Sequence, residues 1–90
     1  MKIHLNVTGR VQGVGFRYTT QQIATEIGVT GTVKNESDGS VTIEAVGTNE
    51  QIQQFLEKLK QPQNPFAKVA YIEQQKDATI KDYDQFKVVY

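Results

Sequence analysis

Polar and apolar residues alternate from Lys2 to Thr8 and send Ile3, Leu5 and Val7 to one face, which predicts a half-buried opening strand. A glycine-bearing run follows from Gly9 to Gly15. The period then changes. Phe16, Thr20, Ile23, Ala24 and Ile27 recur at helical spacing and Gly28 is a stop signal, so a helix is predicted over Phe16 to Ile27. Residues 30–35 and 40–46 read as two strands joined by a tight turn, with Asp38-Gly39 as the hairpin signal. Thr48 and Gln51 have the spacing of a capping box. They open a second helix that buries Ile52, Phe55, Leu56 and Leu59, and Pro62 and Pro65 end it. A strand at 67–73 and a short strand from Phe86 to Tyr90 complete the chain.

The order is β-α-β-β-α-β plus a short C-terminal strand, expected to form one domain over residues 1–90. One amphipathic sheet and two amphipathic helices bury their apolar surfaces together only if both helices cover the same sheet face. The expected class is α+β, a ferredoxin-like α/β sandwich with an antiparallel sheet and two helices on one face.

Composition removes several function classes. Ten Lys and Arg balance ten Asp and Glu. Phosphate neutralisation supplies most nucleic-acid affinity, so a chain without net charge is not expected to take a nucleic-acid partner. Cysteine is absent, which removes disulfides, thiolate metal ligands and a cysteine nucleophile. The first ten residues alternate instead of forming the apolar run of a signal peptide, and no stretch approaches membrane-spanning length. A cytoplasmic monomer without a membrane partner is the expectation.

Candidate chemistry concentrates in GRVQGVGFR, Gly9 to Arg17, between the first strand and the first helix. Gly13 and Gly15 permit backbone angles closed to other residues and a close approach to a ligand. Such a turn aims successive N–H groups into one concavity, and the helix adds its unpaired N–H groups and positive dipole end. Arg17 supplies a fixed charge and a fork that matches phosphate oxygens. Pattern alone leaves a structural loop and a phosphate cradle equally open. The Gly-Lys-Ser/Thr of a Walker loop is absent, as is the acidic ribose partner of a dinucleotide fold.

GRVQGVGFR, followed by GVTGTVKN (Gly28 to Asn35) and DGSV (Asp38 to Val41), resembles the acylphosphatase family over nearly the whole chain. The resemblance implies that the amides of Val11, Gln12, Gly13, Val14, Gly15 and Phe16 hold phosphate together with the Arg17 guanidinium. It implies that Asn35 orients the attacking water, and that the sheet has five antiparallel strands. Thr32 stands where many members have Trp, and Lys34 where many have Arg; neither is a catalytic position.

The residues at hand fit that chemistry on physical grounds. Hydrolysing a phosphate ester near neutral pH calls for a metal, a nucleophile or a general acid for the leaving alcohol. His4 is the only histidine, and it alternates with Ile3 and Leu5 toward the face away from the helices. Asp77, Asp82 and Asp84 fall in a loop without metal-ligand spacing, so neither a metal nor another cofactor is expected. A cradle, one arginine and one amide suffice when the leaving group departs without a proton. A carboxylate does so, because carboxyl groups titrate near pH ~4. A small-molecule acyl phosphate is therefore the expected substrate.

Asn35 taken alone reads as the start of an Asx-turn before Glu36-Ser37-Asp38-Gly39. Parity places it on the face of Val33, the helix-covered side where the cradle also opens. Together with the resemblance, that placement favours the catalytic role. Tyr18 reads as packing or pocket lining, Phe16 as core, and Glu36 and Asp38 as turn residues. The rival readings are an RNA-recognition module, a metal chaperone and a regulatory part of a larger machine. The middle strands lack stacking aromatics for the first, and the second wants a cysteine pair.

Overall fold

The fold is that of a computed structural model describing residues 1–61 and 64–90. Strand β1 (Lys2–Arg10) buries Ile3, Leu5 and Val7 as the alternation predicts. It runs two residues past Thr8, where a register shift lets Gly9 and Arg10 pair with Val69 and Lys68. Helix α1 (Phe16–Ile27) follows, then strands β2 (Thr30–Asn35) and β3 (Val41–Val46). Helix α2 (Asn49–Lys60) opens on the expected capping box, with both reciprocal bonds between Thr48 and Gln51 in place. Pro62 lies outside the described residues. Pro65 follows Asn64 in the turn that leads to β4 (Lys68–Lys76), and β5 (Phe86–Val89) ends the order.

Two expectations about extent are corrected. β4 continues to Lys76 rather than stopping at 73, because its exposed polar half is held by main-chain pairing with β1, which needs no apolar alternation. The β2–β3 connection is wider than a two-residue hairpin loop. Among the described residues only glycines have positive φ, so Asp38 is excluded from the left-handed pair that such a loop requires. Instead the Gly39 N–H donates to the Glu36 carbonyl at 3.2 Å, and Asp38 Oδ1 accepts from the Ser40 hydroxyl and N–H. Those two bonds, the hydroxyl's first, hold the Asp38 carboxyl below its ordinary range.

The strands lie in the order β4-β1-β3-β2-β5. Four pair antiparallel as expected, but β5 runs parallel to β2, so the sheet is mixed rather than wholly antiparallel. The connection dictates this. β4 returns the chain to the end of the sheet where β1 begins, and the Asp77 N–H donates to the Lys2 carbonyl there. Residues 77–85 cross that end, and Gln85 reaches the start of β2 by accepting from the Gly31 N–H. β5 consequently starts beside the start of β2 and runs the same way.

Both helices cover one face, where Phe16, Ile23, Phe55 and Leu59 meet Leu5, Val33, Ile43 and Phe86 in a single apolar cluster. Phe55 and Phe86 meet edge to face at 6.0 Å, seating β5 against α2. His4 lies half-buried on the open face, paired in register with Glu44. Glu44 also accepts a hydrogen bond from Tyr83 of the crossing segment, which pushes the Tyr83 phenol up. Among the described residues no helix is long and apolar enough to cross a membrane.

Candidate active site

The carboxyl ends of β1, β2 and β5 meet the start of α1 at one end of the sheet, where a cavity of ≈ 520 Å³ opens and continues between α1 and β5 as far as Gln21, Gln85 and Phe86. Val11, Gly13, Gly15, Phe16, Arg17 and Asn35 all line it. Gln12 and Val14, also predicted as binding residues, are not among its lining residues. None of the described residues lining the cavity is Asp, Glu, His or Cys, whereas Arg17 and Lys87 are cationic. The site can therefore attract and position an anion, but its described lining residues carry no side-chain carboxylate, imidazole or thiol for acid–base or nucleophilic work. No group of three His, Cys, Asp or Glu that could hold a metal occurs among the described residues.

The loop from 11 to 15 is anchored at both ends by buried side chains. Val11 and Phe16 are each 1% exposed and join the core cluster. Between them the backbone turns through glycines, with φ of 73° at Gly13 and 80° at Gly15. A Cβ on Gly13 would meet nothing within 4 Å, so the dihedral and not crowding selects glycine there. Gly15 occupies the N-cap of α1 and offers no side chain to the first helical N–H groups. Those donors face the end of the fold where the cavity opens, and the dipole adds partial positive charge.

Gln12 and Val14 support the loop from outside. The Gln12 side-chain amide donates to the Glu36 and Ser40 carbonyls at 2.7 and 2.8 Å, tying the loop to the turn that follows Asn35. Val14 packs its side chain against the core and gives its carbonyl to Asn64 Nδ2 at 2.5 Å.

Arg17 stands in the first turn of α1, half-buried at the cavity. Its Nη1 donates to the Val89 carbonyl at 3.0 Å, and its guanidinium carbon lies 4.7 Å from the centre of the Tyr90 ring. One edge of the fork is thus fixed by β5, which leaves its remaining donors for a ligand. Asn35 closes β2 on the face of Val33, as parity predicts. Its Oδ1 is buried without a hydrogen-bond partner, the one such side-chain atom among the described residues. A buried acceptor in that condition is costly unless it serves a ligand or water.

The structure brings Val11, Gly13, Gly15, Phe16, Arg17 and Asn35 to one cavity, and it adds β5, which the sequence does not mark as part of the site. Residues 86–90 read as strand packing, yet the Val89 carbonyl, 72 residues away along the chain, and the adjacent Tyr90 ring position Arg17. No local signal marks that contact, because it follows from β5 pairing beside β2. Gln12 differs: the resemblance concerns its backbone amide, and the structure adds that its side chain bridges to the β2–β3 turn.

Comparison with known proteins agrees with this arrangement. A sequence profile of the family described as Acylphosphatase matches residues 3–88. The acylphosphatase of Enterococcus faecalis is 46% identical over 88 residues, covering 98% of this chain and 97% of the relative. That of Ligilactobacillus salivarius is 50% identical over 84 residues, covering 93% of this chain and 92% of the relative. The crystal structure of acylphosphatase from Bacillus subtilis superposes with a TM-score of 0.93 at 39% identity, covering 99% of this chain and 98% of that one. By profile, by relatives matched along almost their full length and by superposition, the chain belongs to the acylphosphatase family.

Proposed function

We propose that this chain hydrolyses the carboxyl–phosphate bond of acyl phosphates, with phosphate held by the amides of the 11–16 loop and by Arg17, and with water oriented by Asn35. One observation carries the residue assignment: Asn35, whose Oδ1 is buried and unpartnered, lines the same cavity as Arg17, Gly13 and Gly15. Asn35 Oδ1 accepts a hydrogen bond from the water and so aims its lone pair at phosphorus. The new P–O bond forms on one side while the P–O bond to the acyl group breaks on the other. The bonding pair leaves with the carboxylate, which needs no proton at neutral pH. An acyl phosphate dianion and water thereby become a carboxylate and dihydrogen phosphate. Catalysis consists of positioning and of stabilising charge on the phosphoryl oxygens, the two things that amide donors and a guanidinium supply.

The same reading makes the protein a metal-independent, cytoplasmic monomer, with residues 1–90 acting as one domain on a small-molecule substrate. The lining supports metal independence, because its described residues offer no side-chain carboxylate or imidazole. Release of phosphate from acetyl or benzoyl phosphate, measured before and after dialysis against a chelator, tests it. Turnover is expected in both samples. Activity that disappears on chelation and returns with added magnesium or zinc would refute the mechanism.

A further inference from the structure

The carbonyl of Val14 accepts a hydrogen bond from a residue fifty positions further along the chain. Asn64 begins the turn Asn64-Pro65-Phe66-Ala67, which the Ala67 N–H closes on the Asn64 carbonyl at 3.2 Å. Its side-chain oxygen accepts from the Phe66 N–H at 2.9 Å. That bond fixes which end of the amide faces the turn, so Nδ2 is left on the other side, where it donates to Val14. A peptide group is planar, and the Val14–Gly15 peptide bond is trans, so the Gly15 N–H points opposite to the Val14 carbonyl. Asn64 is not among the residues lining the cavity, whereas Gly15 is. Fixing the carbonyl on the Asn64 side therefore fixes the N–H on the cavity side.

From this geometry we infer that Asn64 is a positioning residue for the phosphate cradle, holding the Val14–Gly15 peptide so that the Gly15 N–H faces the bound phosphoryl group. The inference rests on the reading of the 11–16 loop as the phosphate site. Gly13 and Gly15, both exposed and both at positive φ, give this peptide a backbone with alternative conformations, and a peptide flip would turn a carbonyl oxygen toward the anion. Asn64 works against that flip. Its side chain accepts from the turn through one atom and donates to the loop through the other, so the 64–67 turn and the cradle are tied together.

Two substitutions separate the tasks. Asn64→Asp keeps an acceptor for the Phe66 N–H but removes the donor to Val14. Asn64→Ala removes both bonds without adding charge. Each variant is examined by steady-state kinetics, by thermal melting and by titration with inorganic phosphate, followed through the backbone amide signals of Gly13 and Gly15. Both variants should bind phosphate roughly tenfold more weakly and raise KM in proportion, the scale of losing one hydrogen bond that fixes alignment. The Gly15 signal should respond less to phosphate while Gly13 keeps its response. Asn64→Ala should melt at a lower temperature than Asn64→Asp, because it loses the bond within the turn as well as the bond to Val14.

Unchanged phosphate affinity and an unchanged Gly15 response in a folded Asn64→Asp protein would return Asn64 to a turn-building role. Weakening seen only in Asn64→Asp, and abolished by high salt, would equally overturn the positioning role, since repulsion by the new carboxylate would explain it. Failure of the parent reading looks different. If phosphate moves neither glycine signal in the unmodified protein, or if Arg17→Ala leaves phosphate affinity intact, the loop is not the phosphate site and this inference falls with it.

Discussion

The two helices have the same length and cover the same sheet face, but they begin in opposite ways. At α2, Thr48 Oγ1 accepts from the Gln51 N–H and Gln51 Oε1 accepts from the Thr48 N–H, with Glu50 complementing the dipole. At α1 the cap is Gly15, no side chain bonds to the first N–H groups, and the first turn carries Arg17 in place of an acid. A cation at that position opposes the helix dipole by about 0.3–1 kcal/mol. A missing polar cap also forgoes stability, although glycine loses only a few tenths of a kcal/mol against the best caps. The α1 terminus thus departs from what local stability favours, and both departures supply what an anion needs. Departures of this kind are expected where function sets the sequence.

Removing the cation from α1 has the largest expected effect. Arg17→Ala should abolish measurable turnover and weaken inhibition by inorganic phosphate, through loss of roughly 2–4 kcal/mol of charge-assisted stabilisation. Arg17→Lys should recover little, because an ammonium keeps the charge without the two-pronged geometry. The melting temperature of Arg17→Ala should stay near that of the unmodified protein. Relief of the dipole conflict, about 0.3–1 kcal/mol, offsets much of the lost bond to Val89, about 0.5–1.5 kcal/mol. Kinetics beside thermal melts check both halves of the expectation. Phosphate inhibition unchanged in Arg17→Ala would remove Arg17 from the cradle.

Asn35 comes next, since its task is to orient water and not to hold phosphate. Asn35→Ala should lower kcat by roughly 10²–10³-fold, the effect of losing one well-placed polar group in a transition state. Phosphate affinity should change little. Stability should hold as well, since truncation removes a buried Oδ1 that has no partner. Asn35→Asp should be no better. Its carboxylate would face the phosphate, and at ~5 Å with an effective dielectric of ~20 the repulsion is roughly 3 kcal/mol per charge pair. A folded Asn35→Ala protein with near-normal kcat would make Asn35 a turn-starting residue only.

What the sequence displays and what it hides divide along the same line as the two helices. The capping box of α2 is legible because Thr48 and Gln51 are three residues apart and their bonds are local. The cradle is legible for a related reason: Gly13, Gly15 and Arg17 are close in the chain, and their shared specialisation stands out from an ordinary strand–helix link. Asn35 was placed by strand parity, which depends only on counting from Val33. The contacts that position these groups are all remote. Val89 and Tyr90 hold Arg17, Gln12 reaches the 36–40 turn, and Asn64 holds Val14. Each needs the topology first, above all the parallel pairing of β5 with β2, and alternation alone carries no information about strand order or direction.

The smallest expected effect lies at α2, and it closes the comparison from the other side. Thr48→Ala removes the acceptor for the Gln51 N–H and should destabilise the fold by about 1 kcal/mol, as loss of a side-chain cap does. Gln51→Ala removes the reciprocal acceptor together with a 3.2 Å bond from Gln51 Nε2 to the Ile27 carbonyl, so it should cost a comparable amount. Neither residue lines the cavity, and α2 contributes no residue to it. Hence kcat, KM and phosphate inhibition should all stay at their original values below the melting transition, with only the denaturation midpoint displaced. Applied to α1, a change at the helix start should do the reverse, altering turnover far more than melting. If Thr48→Ala reduced kcat in fully folded protein, the two helix starts would be coupled, and the division between a cap that stabilises and one left open for an anion would not hold.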